Sequence, residues 1–225
     1  MGKRVILGVV AILLVIAAAY ASFYVAPEER TMGVLQRIFY FHVASAWAGM
    51  DAFLLCFIAN LLYVWKRNQK YDWLGVASAE VGLVCTTVVL ITGPIWAKPA
   101  WGIYWTWDAR LTSTFVLWLL YVSYLLLRSL IEEPERRALL SALFGIFAFI
   151  DVPLVFFSIR WWRTQHPAPV IMGGPGSYLD PTMRKVFLFN VLAMHVFAAF
   201  LIVERYMLEK MRSQVDILRR EAEAQ

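Results

Sequence analysis

The sequence predicts an all-α integral membrane protein. It is read as a six-transmembrane-helix bundle with both termini cytoplasmic and a tryptophan-rich outer loop between helices 3 and 4. Three observations carry this. The 225-residue chain is 61% hydrophobic and only 16% charged, more apolar surface than a soluble domain of that length can hide. Apolar runs recur at about 5–25, 38–64, 74–96, 111–127, 139–159 and 186–203, each near the roughly 20 residues a helix needs to cross the hydrocarbon core. The separators hold breakers and charges: Pro27-Glu-Glu-Arg30, Lys66-Arg-Asn-Gln-Lys70, Glu132-Glu-Pro-Glu-Arg-Arg137 and Gly173-Gly-Pro-Gly176. Residues 1–225 therefore read as a single membrane domain.

The first run follows Lys3-Arg4 and ends near Ala19-Tyr-Ala21. That resembles a secretory signal, but the apolar core is longer, so it reads as an uncleaved signal anchor. Asp51, Glu80 and Asp151 fall in the second, third and fifth runs. A charge inside a span costs roughly 2.5–3.5 kcal/mol on insertion scales, so these acids are expected to face the bundle interior, neutral or paired. Asp151-Val-Pro153 marks a kink in the fifth helix. The tail, 204–225, alternates charges and extends the sixth helix into the cytoplasm. Cys56 and Cys85 lack C-x-x-C spacing and read as small buried hydrophobes.

Orientation follows from the cations. With the N-terminus inside, thirteen Lys and Arg lie on the inner side and eight on the outer side, which favours cytoplasmic termini. The net charge of +5 is thereby a membrane-topology signal, and no nucleic-acid partner is implied. The outer cations hint at an anionic ligand on that face.

Residues 96–110 concentrate four of the ten tryptophans, with Tyr104 among them and Lys98, Asp108 and Arg110 at the edges. Single tryptophans such as Trp65, Trp73 and Trp118 read as interface anchors. A cluster of Trp96, Trp101, Trp105 and Trp107, broken by Pro99 and Gly102, reads instead as a platform for a large, flat, apolar ligand with acidic groups. Asp108 is expected to pair with Arg110 and hold the loop. Lys98, Arg110 and Arg163 are candidate partners for the ligand's acids, worth about 1.5–3 kcal/mol per charge-assisted bond.

Two of the three histidines come to the same face from separate segments: His42 at the outer start of helix two, and His166 after helix five. Imidazole is a common axial ligand of haem iron, and a pair can bind it from both sides. His195 lies mid-helix in the sixth span, more than about 10 Å below that face, and reads as a hydrogen-bonded polar residue of the bundle. Met172-Gly-Gly-Pro-Gly176 has no Lys-Ser/Thr and follows no strand, so it is not a phosphate loop.

Trp101-Gly-x-x-Trp105-x-Trp107-Asp108, flanked by Arg37-Ile-Phe-Tyr-Phe-His42-Val and Trp161-Trp162-Arg-Thr-x-His166, resembles the tryptophan-rich signature of the haem-handling proteins of cytochrome c biogenesis. With six spans and a short length the chain is similar to the haem exporter protein C family, over about residues 36–185. The resemblance implies haem b held between His42 and His166 over the tryptophan platform at the periplasmic face of a bacterial inner membrane. It implies transfer of that haem to a periplasmic haem chaperone, a non-enzymatic role. Its partners would include ATP-binding cassette transporter subunits and a small single-span membrane subunit. Larger relatives, the cytochrome c haem lyases and synthases, share the platform but carry more spans.

Two competing functions remain open to the sequence. A transmembrane haem or anion transporter would need an aqueous path, for which Glu80, Asp151 and His195 are the available lining. A haem-dependent oxidoreductase would need a second redox centre, and His195 alone does not supply a bis-histidine pair.

Overall fold

A computed structural model describes residues 2–166 and 179–223; the glycine-rich 172–176 lies outside them. Seven helices account for the six spans: α1 (Gly2–Tyr20), α2 (Ile38–Lys66), α3 (Gln69–Trp101), α4 (Ala109–Leu130), α5 (Pro134–Ala148), α6 (Asp151–Trp161) and α7 (Pro181–Glu223). A π turn, Ala21–Val25, prolongs α1, and a 3-10 turn, Val34–Arg37, leads into α2. All six spans are long and apolar enough to cross a membrane. Helices are the expected form, because lipid offers backbone groups no partners and each must be satisfied within its own segment.

The fifth span is α5 and α6 together, broken at Phe149–Ile150. Pro153 explains the break: it has no N–H for the Phe149 carbonyl, which is taken instead by the Val152 N–H at 3.0 Å. The long α7 reaches roughly 65 Å at 1.5 Å per residue, far beyond one hydrocarbon core. The charged tail continues the helix as expected, and its first turns still pack on the bundle, with Arg205 on Glu80 and Tyr206 edge-on to Trp73.

At the core, α2 packs on α3 and α5, and α4 packs on α3, α5 and α6. Phe53 of α2 stacks on Tyr121 of α4 with ring centroids 3.7 Å apart, and Gly82 of α3 makes room for it: a Cβ there would meet the Phe53 ring at 2.4 Å. Arg128 closes α4 on α3 with a buried, two-pronged bond to Asp72, at 2.5 and 3.0 Å. The first helix leans on α7, where Asn190 donates to the Ser22 hydroxyl at 2.9 Å and Gly8 lies under Phe200. Trp118 departs from its expected anchoring role: it stacks on Phe115 and donates to the Thr87 hydroxyl at 2.9 Å, inside the bundle.

Not all the acids behave as expected. Asp151 is buried, with one carboxylate oxygen unpartnered among the described residues, and Glu80 is paired with Arg205. Asp51 is a correction. Its side chain is 67% exposed, on the outside of the bundle, with His195 of α7 as its partner at 3.0 Å. The face of α2 that packs on α3 is filled by small residues, Ala48 and Ala52, which leaves no volume there for a carboxylate.

Candidate functional site

The tryptophan segment is less of a loop than its prolines suggest. α3 runs through Pro94 and Pro99 and stops only at Gly102, so Trp96, Lys98 and Trp101 are helical and the connection to α4 is 102–108. Staying helical satisfies every backbone group that the prolines leave intact, which in a membrane outweighs the local cost of each ring. Gly102 ends the helix because it takes the left-handed conformation, φ +77°, and returns its N–H to the Lys98 carbonyl at 2.9 Å.

Between α2, α3, α4, α6 and the segment after α6 lies a cleft. It opens at the end of the bundle that carries residues 102–108. Trp96, Trp101, Trp105, Arg110, His42 and His166 all line it, and it runs inward to Met50, Phe53 and Leu117. The aromatic cluster is thus one wall of a recess in the bundle as well as a surface platform.

His42 is buried and set on the cleft wall edge-on to Trp96, with ring centroids 5.9 Å apart. Its Nδ1 lies 2.9 Å from the Thr92 hydroxyl oxygen, and that hydroxyl lies 2.7 Å from the Val88 carbonyl. Thr92 has one proton to give. Both contacts are satisfied when the hydroxyl donates to Val88 and accepts from the Nδ1–H of His42. Nε2 then keeps its lone pair, the form in which imidazole binds a metal, and the partner on Nδ1 fixes the ring's orientation. Thr92 carries no signal in the sequence; only the α2–α3 packing brings it to His42.

His166 reaches the cleft from residues 162–166, a segment tied down by Asp108. That carboxylate caps α4 by accepting the N–H groups of Arg110 and Leu111, both at 3.0 Å. Its other oxygen accepts the Thr106 hydroxyl at 3.0 Å and the Gln165 N–H at 3.3 Å. Partial burial works against its charge, but the Leu111 N–H, the Thr164 and Thr106 hydroxyls and the Gln165 N–H prevail and hold its carboxyl below the usual range. The expected Asp108–Arg110 ion pair is corrected: Asp108 meets only the backbone of Arg110. The guanidinium instead donates to the Val155 carbonyl of α6 at 2.6 Å, and in doing so it becomes the cation of the cleft wall.

The other expected residues divide. Lys98 is off the cleft, with Nζ donating to the Gly102 carbonyl at 2.9 Å and lying 5.2 Å from the Tyr104 ring. Arg163 is exposed and does not line the cleft, and Trp107 is 74% exposed, edge-on to Trp105 at 5.7 Å. Glu80, Asp151 and His195 do not line the cleft, and Glu80 and His195 are engaged with Arg205 and Asp51.

A haem-sized ligand can be tested against this wall. The Nε1–H groups of Trp96 and Trp105 are buried without a partner among the described residues, although buried donors are normally satisfied. Both residues line the cleft, beside Arg110 and the two histidines. The recess brings two imidazoles and one cation together, with two unpartnered indole N–H groups in its wall, groups of the chemistry that a planar, dianionic metalloporphyrin takes.

The family model described as heme exporter protein C matches residues 3–225. The heme exporter protein C of Bradyrhizobium diazoefficiens is 34% identical over 190 residues, covering 84% of this chain and 70% of its own. That of Escherichia coli K12 is 31% identical over 186 residues, 82% of this chain and 74% of its own. A putative cytochrome c biosynthesis ccmC-like mitochondrial protein of Marchantia polymorpha is 30% identical over 188 residues, 83% and 79% of the two chains.

Proposed function

The chain belongs to the heme exporter protein C family, and from that premise we propose that it binds haem b in the cleft and hands it to a periplasmic haem chaperone for cytochrome c maturation. The carrying observation is the pairing of His42 and His166 on one apolar recess, with His42 oriented by Thr92 so that Nε2 is available. In this reading His42 and His166 are the axial ligands. Trp96, Trp101 and Trp105 cover the porphyrin, and Arg110 and the indole N–H groups meet its propionates. Trp107 and Asp108 serve from outside the cleft, one as an exposed ring beside the mouth and the other as the tie that holds it.

The reading also assigns orientation. The cleft end faces the periplasm of a bacterial inner membrane and the α7 extension faces the cytoplasm, in keeping with the Lys and Arg excess at that end. Haem is cargo here, so the protein's chemistry is holding and releasing. A recess open at its mouth covers the porphyrin's apolar area while leaving one edge for an acceptor. Work in a complex with ATP-binding cassette transporter subunits and a small single-span subunit belongs to the same proposal.

Titrating the purified full chain with haem tests this. The expected result is a saturable Soret band of low-spin, bis-histidine character, lost in the His42→Gly, His166→Gly double variant. A band unchanged in that double variant would overturn the ligand assignment.

A further inference from the structure

Asp51 and His195 form a polar pair in an improbable place. Asp51 is 13 residues into the 29-residue α2 and His195 is 14 residues into α7, so both lie roughly 20 Å from the cleft end at 1.5 Å per residue. That is near mid-membrane, yet the Asp51 side chain is 67% exposed on the bundle's outer surface and that of His195 is 32% exposed. Intramembrane acids almost always face a protein interior or a water-filled cavity. This one lies on the exposed side of α2, held by His195.

The hydrogen bonds define what is missing. His195 Nδ1 lies 2.7 Å from the Val191 carbonyl, so it carries a proton and donates; Nε2 lies 3.0 Å from Asp51. One proton sits between the pair, either on the imidazole or on the acid, and the pair is neutral in both cases. The second carboxylate oxygen of Asp51 is then an acceptor in both cases, and among the described residues it has no donor. Below it on α2, Leu54, Ile58, Leu61 and Trp65 are all exposed, which with Asp51 makes a row at spacings of three and four. Such a row is the seam that a second helix packs along at a shallow crossing angle.

We propose that this row is a docking seam for one transmembrane helix of a different polypeptide, carrying a hydrogen-bond donor at mid-depth for Asp51. A second copy of this chain does not meet the requirement. Two-fold packing on the row sets acceptor against acceptor, and both His195 nitrogens are already engaged. The nearest polar groups of α2, Ser45 and Asn60, are buried in the chain's own core. The inference shares with the functional reading only the expectation of a membrane-spanning partner and does not depend on the haem site: the seam lies about a quarter-turn round α2 from the residues that line the cleft, His42, Ala46, Met50 and Phe53.

The test places a photo-crosslinking amino acid at Leu54 or Ile58 of the full chain in its native membranes, with Val9 and Ile16 of α1 as exposed apolar controls. The expected result is a discrete protein adduct from positions 54 and 58. Its peptide should map to a transmembrane segment of another protein bearing Ser, Thr, Asn, Gln, Lys or Arg at mid-depth. Asp51→Leu should lower the adduct yield about tenfold per inserted chain, the change expected from one lost interhelical hydrogen bond, and Asp51→Asn, which keeps an acceptor, should hold it within about twofold. Adducts to lipid alone, adducts at twice the chain's own mass, or a partner segment without a donor would each overturn the proposal. So would equal yields from the seam and the controls.

Discussion

The Asp108 carboxylate accepts the N–H of Gln165 at 3.3 Å while capping α4 with its other oxygen. One side chain thereby fixes both the start of the helix that supplies Arg110 and the segment that supplies His166. Replacing Asp108 by Ala should remove the cap, at about 1 kcal/mol, and free the His166 segment. We expect a lower Tm together with haem affinity weakened by about tenfold or more, read by thermal unfolding and haem titration. A lower Tm with unchanged affinity would reduce Asp108 to a helix cap.

The same carboxylate sets a pH dependence. Its folded pKa is depressed, so its contribution is present above the unfolded value of about 3.9 and is lost as pH falls through the lower folded value. Asp108→Asn should therefore differ most from wild type in Tm at pH 5 to 6. The gap should close as pH falls below about 4. A gap that widens on acidification would contradict the sign.

Thr92 should matter through His42. Thr92→Val removes the oxygen that accepts from Nδ1 and leaves the ring free to turn. Loss of such an orienting partner typically costs about 10–100-fold in metal affinity, so haem retention should fall by that order and the Soret band should shift. Thr92→Ser should restore both; equal behaviour of Val and Ser variants would remove Thr92 from the site.

Much of this was legible in the residues, and what was not has physical causes. The six spans follow from runs of apolar residues, and the convergence of His42, His166, Trp96, Trp101 and Trp105 on one cleft follows from the segments that carry them to one end of the bundle. The end of α3 did not, because Pro99 breaks helices in water but not where lipid leaves the backbone no alternative. Arg110's partner was misjudged for a related reason: sequence proximity favoured Asp108, whereas the α4–α6 crossing brings the Val155 carbonyl to it. Asp51 was placed inside by its insertion cost, and Thr92 was invisible, since both depend on which helix faces which.

The cations should separate. Arg110→Met should weaken haem binding by about tenfold or more, the worth of a charge-assisted bond. Lys98→Met and Arg163→Met, both off the cleft wall, should change it less than about threefold. Isothermal or spectral titration decides, and equal effects from all three would argue for field strength over contact.

The two neighbouring tryptophans should divide the functions of the wall. Trp105→Ala, inside the cleft, should weaken haem binding. Trp107→Ala, on an exposed ring, should keep haem yet lower co-purification of the periplasmic chaperone relative to Trp65→Ala at the opposite end. Chaperone capture unaffected by Trp107→Ala would move the docking surface elsewhere.

At the far end, Arg128→Met leaves Asp72 buried without its partner. Such a loss typically costs about 3–5 kcal/mol. The variant should unfold at lower temperature, or fail to accumulate, while any folded fraction keeps a wild-type haem spectrum.

The central claim is that His42 and His166 together hold haem iron in the cleft. Its most direct measurement is the Soret spectrum of the purified chain with each histidine changed singly to Gly, before and after adding imidazole. The account predicts that either change weakens or shifts the band, that imidazole restores it in both, and that His195→Ala leaves it at the wild-type position. Wild-type bands in both single variants without imidazole would contradict it.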